Sequence, residues 1–281
     1  MSFSSNWQLD LAEIGALRLQ HARRAFNDRD PVLALVEAEE LLEEEPDNLD
    51  ALMIVADAAL DLGDPVVSRA AFLQAIDLGA TAALVFSGLA VTCYELTDLE
   101  GCIEASNRAL EVEPDLAEAW YYKGIALDQL GLADEATQAL RQAMFHDPQG
   151  FPMPTAMSTE DIEALLGEAL SCMPPELAEW YRRVRFEVHR YPDLRQLRDS
   201  DMPLSPSSPA LYHGTPSPER QDPWQTLPDR VDVYVGNLER AAALGANPAQ
   251  LLAASLRNEA LDWLGLPDDG LPLVFAGSPR A

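Results

Sequence analysis

Hydrophobic and small residues in the first half of the chain recur on a fixed lattice. Pro46, Pro114 and Pro148 stand at multiples of 34 residues, with Ala80 on the remaining lattice point. With the lattice residue set as position 32 of a 34-residue unit, position 8 falls on Ala56, Ala90 and Gly124. Position 27 falls on Ala75, Ala109 and Ala143, and position 4 on Leu52, Phe86 and Trp120. Small residues at fixed places let two antiparallel helices approach closely. A large residue fills the gap to the next pair, and Pro ends the second helix. The spacing predicts four helical hairpins between residues 7 and 150. The clearest unit runs from Ala117 to Gly150, with Trp120, Gly124, Gly131, Ala136, Ala143 and Pro148 in place. Residues 15–48 keep Ala22, Ala34 and Pro46 but put Arg18 and His21 where bulky apolar residues are expected. That departure suits a terminal repeat that caps the array.

The pattern changes after Gln149-Gly-Phe-Pro-Met-Pro154. Ser158-Thr-Glu-Asp161 is a capping-box start, and Ile162, Leu165, Leu166 and Leu170 carry helical spacing to about Cys172. Pro174-Pro-Glu-Leu opens a second short helix. Val184–Val188 alternates and predicts a strand, Leu211–Pro216 a short edge strand or turn, and Val231–Val235 the clearest strand. Asn237 is expected to cap a helix through Leu238-Glu-Arg-Ala. Asn247-Pro248 begins the last helix, from Ala249 to about Leu264, stopped by Gly265 and Pro267. Met202–Pro209 and the stretch holding Pro216, Pro218 and Pro223 read as loops, and residues 270–281 as a trailing segment. The expected division is a helical repeat domain over 1–150 and a small α+β domain over 151–281.

Charge narrows the partners. The 281 residues hold 19 basic and 47 acidic side chains, a net of −28, and Lys123 is the one lysine. The first 150 residues alone carry 28 acids and 8 bases, a net of −20. Such a chain repels phosphates, so nucleic acid and anionic membranes are not expected partners, and a basic protein segment is the natural complement. Cys93, Cys102 and Cys172 form no C-x-x-C pair and no disulfide framework. The N-terminus lacks the basic and apolar regions of a secretory signal, and no apolar run reaches about 18 residues. A cytoplasmic location is expected.

The 34-residue lattice resembles the tetratricopeptide repeat. The resemblance implies peptide or protein binding on the concave face lined by the first helix of each hairpin. Carried over position by position, that face holds Asp50, Met53, Asp57, Leu84, Val91, Tyr94, Tyr121, Ile125 and Asp128.

The second half resembles bacterial zincin-like metallopeptidases, on Leu211-Tyr-His-Gly214, Leu227-Pro-Asp-Arg-Val-Asp-Val-Tyr234 and the frame beginning at Asn258. The family's helix reads H-E-x-x-H-x-x-G-x-x-D. Here the frame is Asn258-Glu259-x-x-Asp262-x-x-Gly265-x-x-Asp268. By resemblance, Asn258, Asp262 and Asp268 stand at the metal-ligand positions and Glu259 at the general base. The strand before the helix is the edge to which a substrate backbone would add. Both histidine positions are replaced, and catalytic zinc wants imidazole or thiolate. No zinc, no other cofactor and no catalysis are therefore expected. Asn258, Asp262 and Asp268 together suit at most a hard cation such as Ca²⁺ or Mg²⁺. The leading reading is a bacterial cytoplasmic adaptor with an inactive zincin-like domain. One alternative is an active peptidase with an altered metal site whose substrate is delivered by the repeats; His189 and His213 could contribute from elsewhere, but nothing in their spacing says so. Another is a purely structural subunit of a larger assembly.

Overall fold

The computed structural model describes residues 11–198, 204–214, 223–225 and 227–266. The chain divides into two compact units, Met1–His146 and Asp147–Ala281.

The first unit is a row of four antiparallel helix pairs: α1 (Leu11–Asn27) with α2 (Pro31–Glu44), α3 (Leu49–Asp61) with α4 (Pro65–Asp77), α5 (Ala83–Glu95) with α6 (Leu99–Val112), and α7 (Ala117–Gln129) with α8 (Ala133–His146). The second helices start at 31, 65, 99 and 133, so the predicted register of 34 holds through all four pairs. The small positions lie where the helices cross. Ala56, Ala90, Ala75, Ala109 and Ala143 are all fully buried. A methyl group on Gly124 would sit 2.8 Å from Leu140 Cγ of the partner helix. Gly88 shows the same constraint between neighbouring hairpins: an added Cβ would lie 2.2 Å from Cζ of the buried Phe72.

Polar groups fix the hairpin turns at the same period. Asp30, Asp64 and Asp98 cap α2, α4 and α6, each accepting from a backbone N–H in the first turn. Just before each cap the chain passes through positive φ, at Arg29, Gly63 and Thr97, and Gly131 repeats the turn before α8. In the first pair, Arg18 does not fill an apolar gap but forms an ion pair with Glu40 of α2. His21 is exposed. Buried hydroxyls find partners inside the array: Ser68 and Thr92 share a hydrogen bond of 2.9 Å, and Ser106 donates to the Cys102 carbonyl at 2.8 Å.

The second unit packs helices on both faces of a three-stranded sheet, the main core on one and a small cluster of Leu197, Leu211 and Tyr234 on the other. Its helices are α9 (Thr159–Ser171), α10 (Pro175–Tyr181), α11 (Leu194–Arg198), α12 (Val235–Ala243) and α13 (Pro248–Leu264). The strands are β1 (Phe186–His189), β2 (Ala210–His213) and β3 (Arg230–Tyr234), in the order β1-β3-β2. β3 pairs parallel with β1 and antiparallel with β2. Val231, Val233 and Ala210 join Leu177, Trp180, Leu252, Leu256 and Leu261 in one core. The predicted capping box at Ser158 and Asp161 is present, and Asn247 caps α13 through Ala249 N and Gln250 N.

Two local expectations are corrected. Asn237 is not an N-cap, because β3 runs directly into α12 and its helix begins at Val235. The Asn237 amide instead donates to the Pro206 and Ser208 carbonyls, at 2.9 and 2.7 Å, and so ties a loop to the helix. Nor is β3 a free edge. Both its sides are occupied by strands, so no substrate backbone can add to it, and the sheet edges are β1 and β2.

The tight crossings yield a paired prediction. Gly88→Ala should destabilise the repeat unit by about 1–3 kcal/mol, since Phe72 has nowhere to move within a packed core. Gly167→Ala, on an α9 surface with nothing within 4 Å of the new methyl, should stabilise by about 0.5–1 kcal/mol. Denaturant titration of each variant against the parent chain measures both.

Candidate functional site

The positions expected to line the concave face lie on α3, α5 and α7. Asp50 and Leu84 are exposed, Met53, Asp57, Val91 and Asp128 are half-buried, and Tyr94, Tyr121 and Ile125 are buried. Asp50 already has a cation, Arg23 of α1, at 2.7 Å. The other acids on these helices crowd one another. Burial pushes the Asp57 carboxyl up to about 6, and the charges of Asp61 and Glu118 add to the shift. Ser87 of α5 donates to Glu118 at 2.7 Å, so side chains from all three first helices meet on one face. Among the described residues, Asp57, Asp61 and Glu118 have no cation within salt-bridge distance. Beside them stand aromatic rings: Tyr122 packs edge-on against Tyr94 at 5.8 Å and against Tyr121 at 5.5 Å. Gln129 donates to the Tyr94 hydroxyl at 2.7 Å. Tyr122, Asp61 and Glu118 were not among the expected positions. Their part in the face follows from the pitch of the helices and not from repeat position alone.

The zincin-like frame lies on the last turns of α13. Gly265 takes a left-handed φ of 65° and lets Leu266 N bond back to the Leu261 carbonyl at 2.9 Å, which ends the helix. Asn258 and Asp262 are one turn apart and both exposed, and Arg257 donates to Asn258 at 3.0 Å. Glu259 is half-buried. Burial raises its pKa and the nearby Asp262 charge raises it further. It neighbours the hydroxyls of Tyr181 and Tyr212, which bond to each other and converge on the Leu256 carbonyl at 2.5 and 3.1 Å. Burial pushes both phenols well above their ordinary range, so they remain neutral donors. Asp268 lies outside the described residues.

This donor set does not fit a catalytic zinc. An exposed neutral amide and one exposed carboxylate replace two imidazoles, and neither supplies the basic nitrogen that such a site needs.

A third constellation, which the frame does not include, lies on the sheet. Tyr212 packs toward α13, so its neighbour His213 faces the other way, as do Glu187, His189, Arg230 and Asp232 by strand alternation and register. His189 Nε2 stands 3.6 Å from both Glu187 Oε2 and Asp232 Oδ1. His213 Nε2 stands 2.7 Å from Asp232 Oδ2. Arg230 contacts Asp232 at 2.8 Å. The sheet therefore separates His189 and His213 from α13, and they do not complete the frame at Asn258 and Asp262.

Comparison with solved structures returns repeat proteins. The MamA protein aligns at 19% identity over 67% of this chain and 86% of its own, with a TM-score of 0.47. YrrB, a TPR protein with an unusual peptide-binding site, aligns at 16% identity over 59% of this chain and 76% of its own, with a TM-score of 0.43. TTC0263, a thermophilic TPR protein of Thermus thermophilus, aligns at 20% identity over 48% and 75%, also with a TM-score of 0.43. No curated protein matches the sequence significantly. Residues 181–274, which hold the sheet, α12 and α13, match the family described as zincin-like metallopeptidase.

Proposed function

We propose that this protein is an adaptor: the helical repeats bind a protein or peptide with a basic segment, and the zincin-like domain is a catalytically inactive partner of that array. The observation that carries the binding half is the face formed by α3, α5 and α7. There Asp57 is half-buried, and the charges of Asp61 and Glu118 act on it beside a cluster of tyrosines. A lysine or arginine between these acids would relieve the repulsion, and its aliphatic stem would lie against the rings. The inactive half rests on α13. The residues at the two histidine positions, Asn258 and Asp262, are exposed oxygen donors, and Glu259 is half-buried with its charge acting on the Tyr181 and Tyr212 hydroxyls. Without a metal no bound water is activated for Glu259 to deprotonate. The net charge of −28 keeps nucleic acid and anionic membranes off the surface, and a cytoplasmic location accords with this reading. No helix among the described residues is long and apolar enough to cross a membrane.

The crowded acids predict a specific pH dependence. A carboxyl whose folded pKa lies near 6, above its unfolded value, costs stability once ionised. That cost is absent well below pH 4 and complete above pH 6. Asp57→Asn should therefore stabilise the chain at pH 7.5, by on the order of 1 kcal/mol after solvent screening, and leave it unchanged near pH 3.5. Equal effects at both pH values, read by urea titration, would remove the account in which burial and neighbouring charge penalise the ionised carboxyl.

Binding and catalysis are tested separately. Asp57→Lys with Glu118→Lys should abolish capture of a lysine-rich peptide by the repeats, and salt should weaken capture by the parent chain, since exposed charges are screened over about 8 Å. Unchanged capture places the interface elsewhere. For the second half, the expected result is no cleavage of unfolded protein substrates at any added zinc concentration. Cleavage that chelators stop and Glu259→Gln eliminates would overturn the inactive reading in favour of a peptidase.

A further inference from the structure

We propose that Glu187, His189 and Asp232, with His213 on the second oxygen of Asp232, form a binding site for a divalent transition-metal ion such as Zn²⁺ on the face of the sheet turned away from α13. Three strands deliver these groups. β1 supplies Glu187 and His189, β3 supplies Asp232, and β2 supplies His213. Ligand-bearing atoms of Glu187, His189 and Asp232 lie within 4.8 Å of one another. A tetrahedral ion with nitrogen and oxygen ligands at 2.0–2.2 Å holds neighbouring donors about 3.3–3.6 Å apart. The separations from His189 Nε2 to Glu187 Oε2 and to Asp232 Oδ1 are both 3.6 Å, so those two edges need almost no contraction.

His213 adds an independent observation. Its Nε2 is buried 2.7 Å from Asp232 Oδ2, closer than two ligands of one ion stand, so His213 backs the carboxylate and does not bind the ion itself. The central carboxylate is also held in place: Asp232 is almost fully buried, and Arg230 grips it at 2.8 and 3.3 Å. That second contact fixes the ligand, as partners behind a metal-bound carboxylate commonly do. Arg230 also lies 3.7 Å from Glu187 Oε2, so its charge opposes the ion and sets the affinity below that of a site without it. His189 is half-exposed, which gives the ion a path from solvent. Mixed imidazole and carboxylate donors suit Zn²⁺ and its transition-metal neighbours over Ca²⁺ or Mg²⁺. The exposed oxygens of Asn258 and Asp262 have no such nitrogen.

The test is calorimetric titration of the full chain, stripped with chelator and dialysed, with Zn²⁺ alone. Binding of about one equivalent is expected. His189→Ala and Glu187→Gln, which each remove one proposed ligand, should each weaken it at least about tenfold. Asn258→Ala with Asp262→Ala should leave it unchanged. Absence of binding to the parent chain overturns the site. So does binding that survives His189→Ala, or binding that disappears in the Asn258/Asp262 variant while both circular dichroism spectra stay native. These outcomes are independent of peptide capture and of proteolysis.

Discussion

Everything in the repeat unit follows from how close two helices can come. Where Gly124 faces Leu140, and Gly88 faces Phe72, the neighbouring side chain already occupies the space a methyl would take. Alanines fill the equivalent crossings elsewhere and are fully buried. Close approach sets the pitch of each hairpin, and equal pitch stacks one hairpin on the next. Stacking in turn brings α3, α5 and α7 onto a common face. The acids and tyrosines there come from residues 57 to 122, yet Ser87 and Glu118, on different helices, are in hydrogen-bonding contact at 2.7 Å. Crowding of like charge on that face is thus a consequence of small residues buried elsewhere.

In the second unit the sheet divides two chemistries. On one side, Val231, Val233 and Ala210 belong to a core with α9, α10 and α13, and the tyrosine pair ties β2 and α10 to the Leu256 carbonyl. On the other, two histidines, Glu187 and an arginine gather around a nearly buried Asp232. Strand alternation alone makes this division, because consecutive residues of β1, β2 and β3 face opposite ways. A buried carboxylate needs partners, and Arg230 and the two histidines surround it. α12 is anchored by a similar economy. Glu239 is buried but accepts from Met157 N at 2.8 Å and pairs with Arg190 at 3.2 Å, so one helix face ties together distant parts of the unit.

Much of this was legible in the residues. The lattice of Pro, Ala and Gly fixes the eight helices and their register, since local packing rules repeat with the sequence. Ser158, Asn247 and Gly265 mark helix ends because caps act within a few residues. The aspartate caps at 30, 64 and 98 form a second series with the same period, equally local and equally present in the sequence.

What the sequence left open depends on pairing across distance. Alternation marks strands, but no local pattern says that β3 is central, so its expected role as an edge fell to the order β1-β3-β2. Asn237 is a good cap by type, yet its amide is claimed by the Pro206 and Ser208 carbonyls, about thirty residues away. His189 and His213 carry no spacing signal because their meeting point, Asp232, lies on a third strand. The sequence by itself determined the helical hairpins and the replacement of both histidines in the α13 frame. Tertiary structure alone decided which face each strand shows and which charges meet on it, because register and burial arise only when segments distant in the chain are packed together.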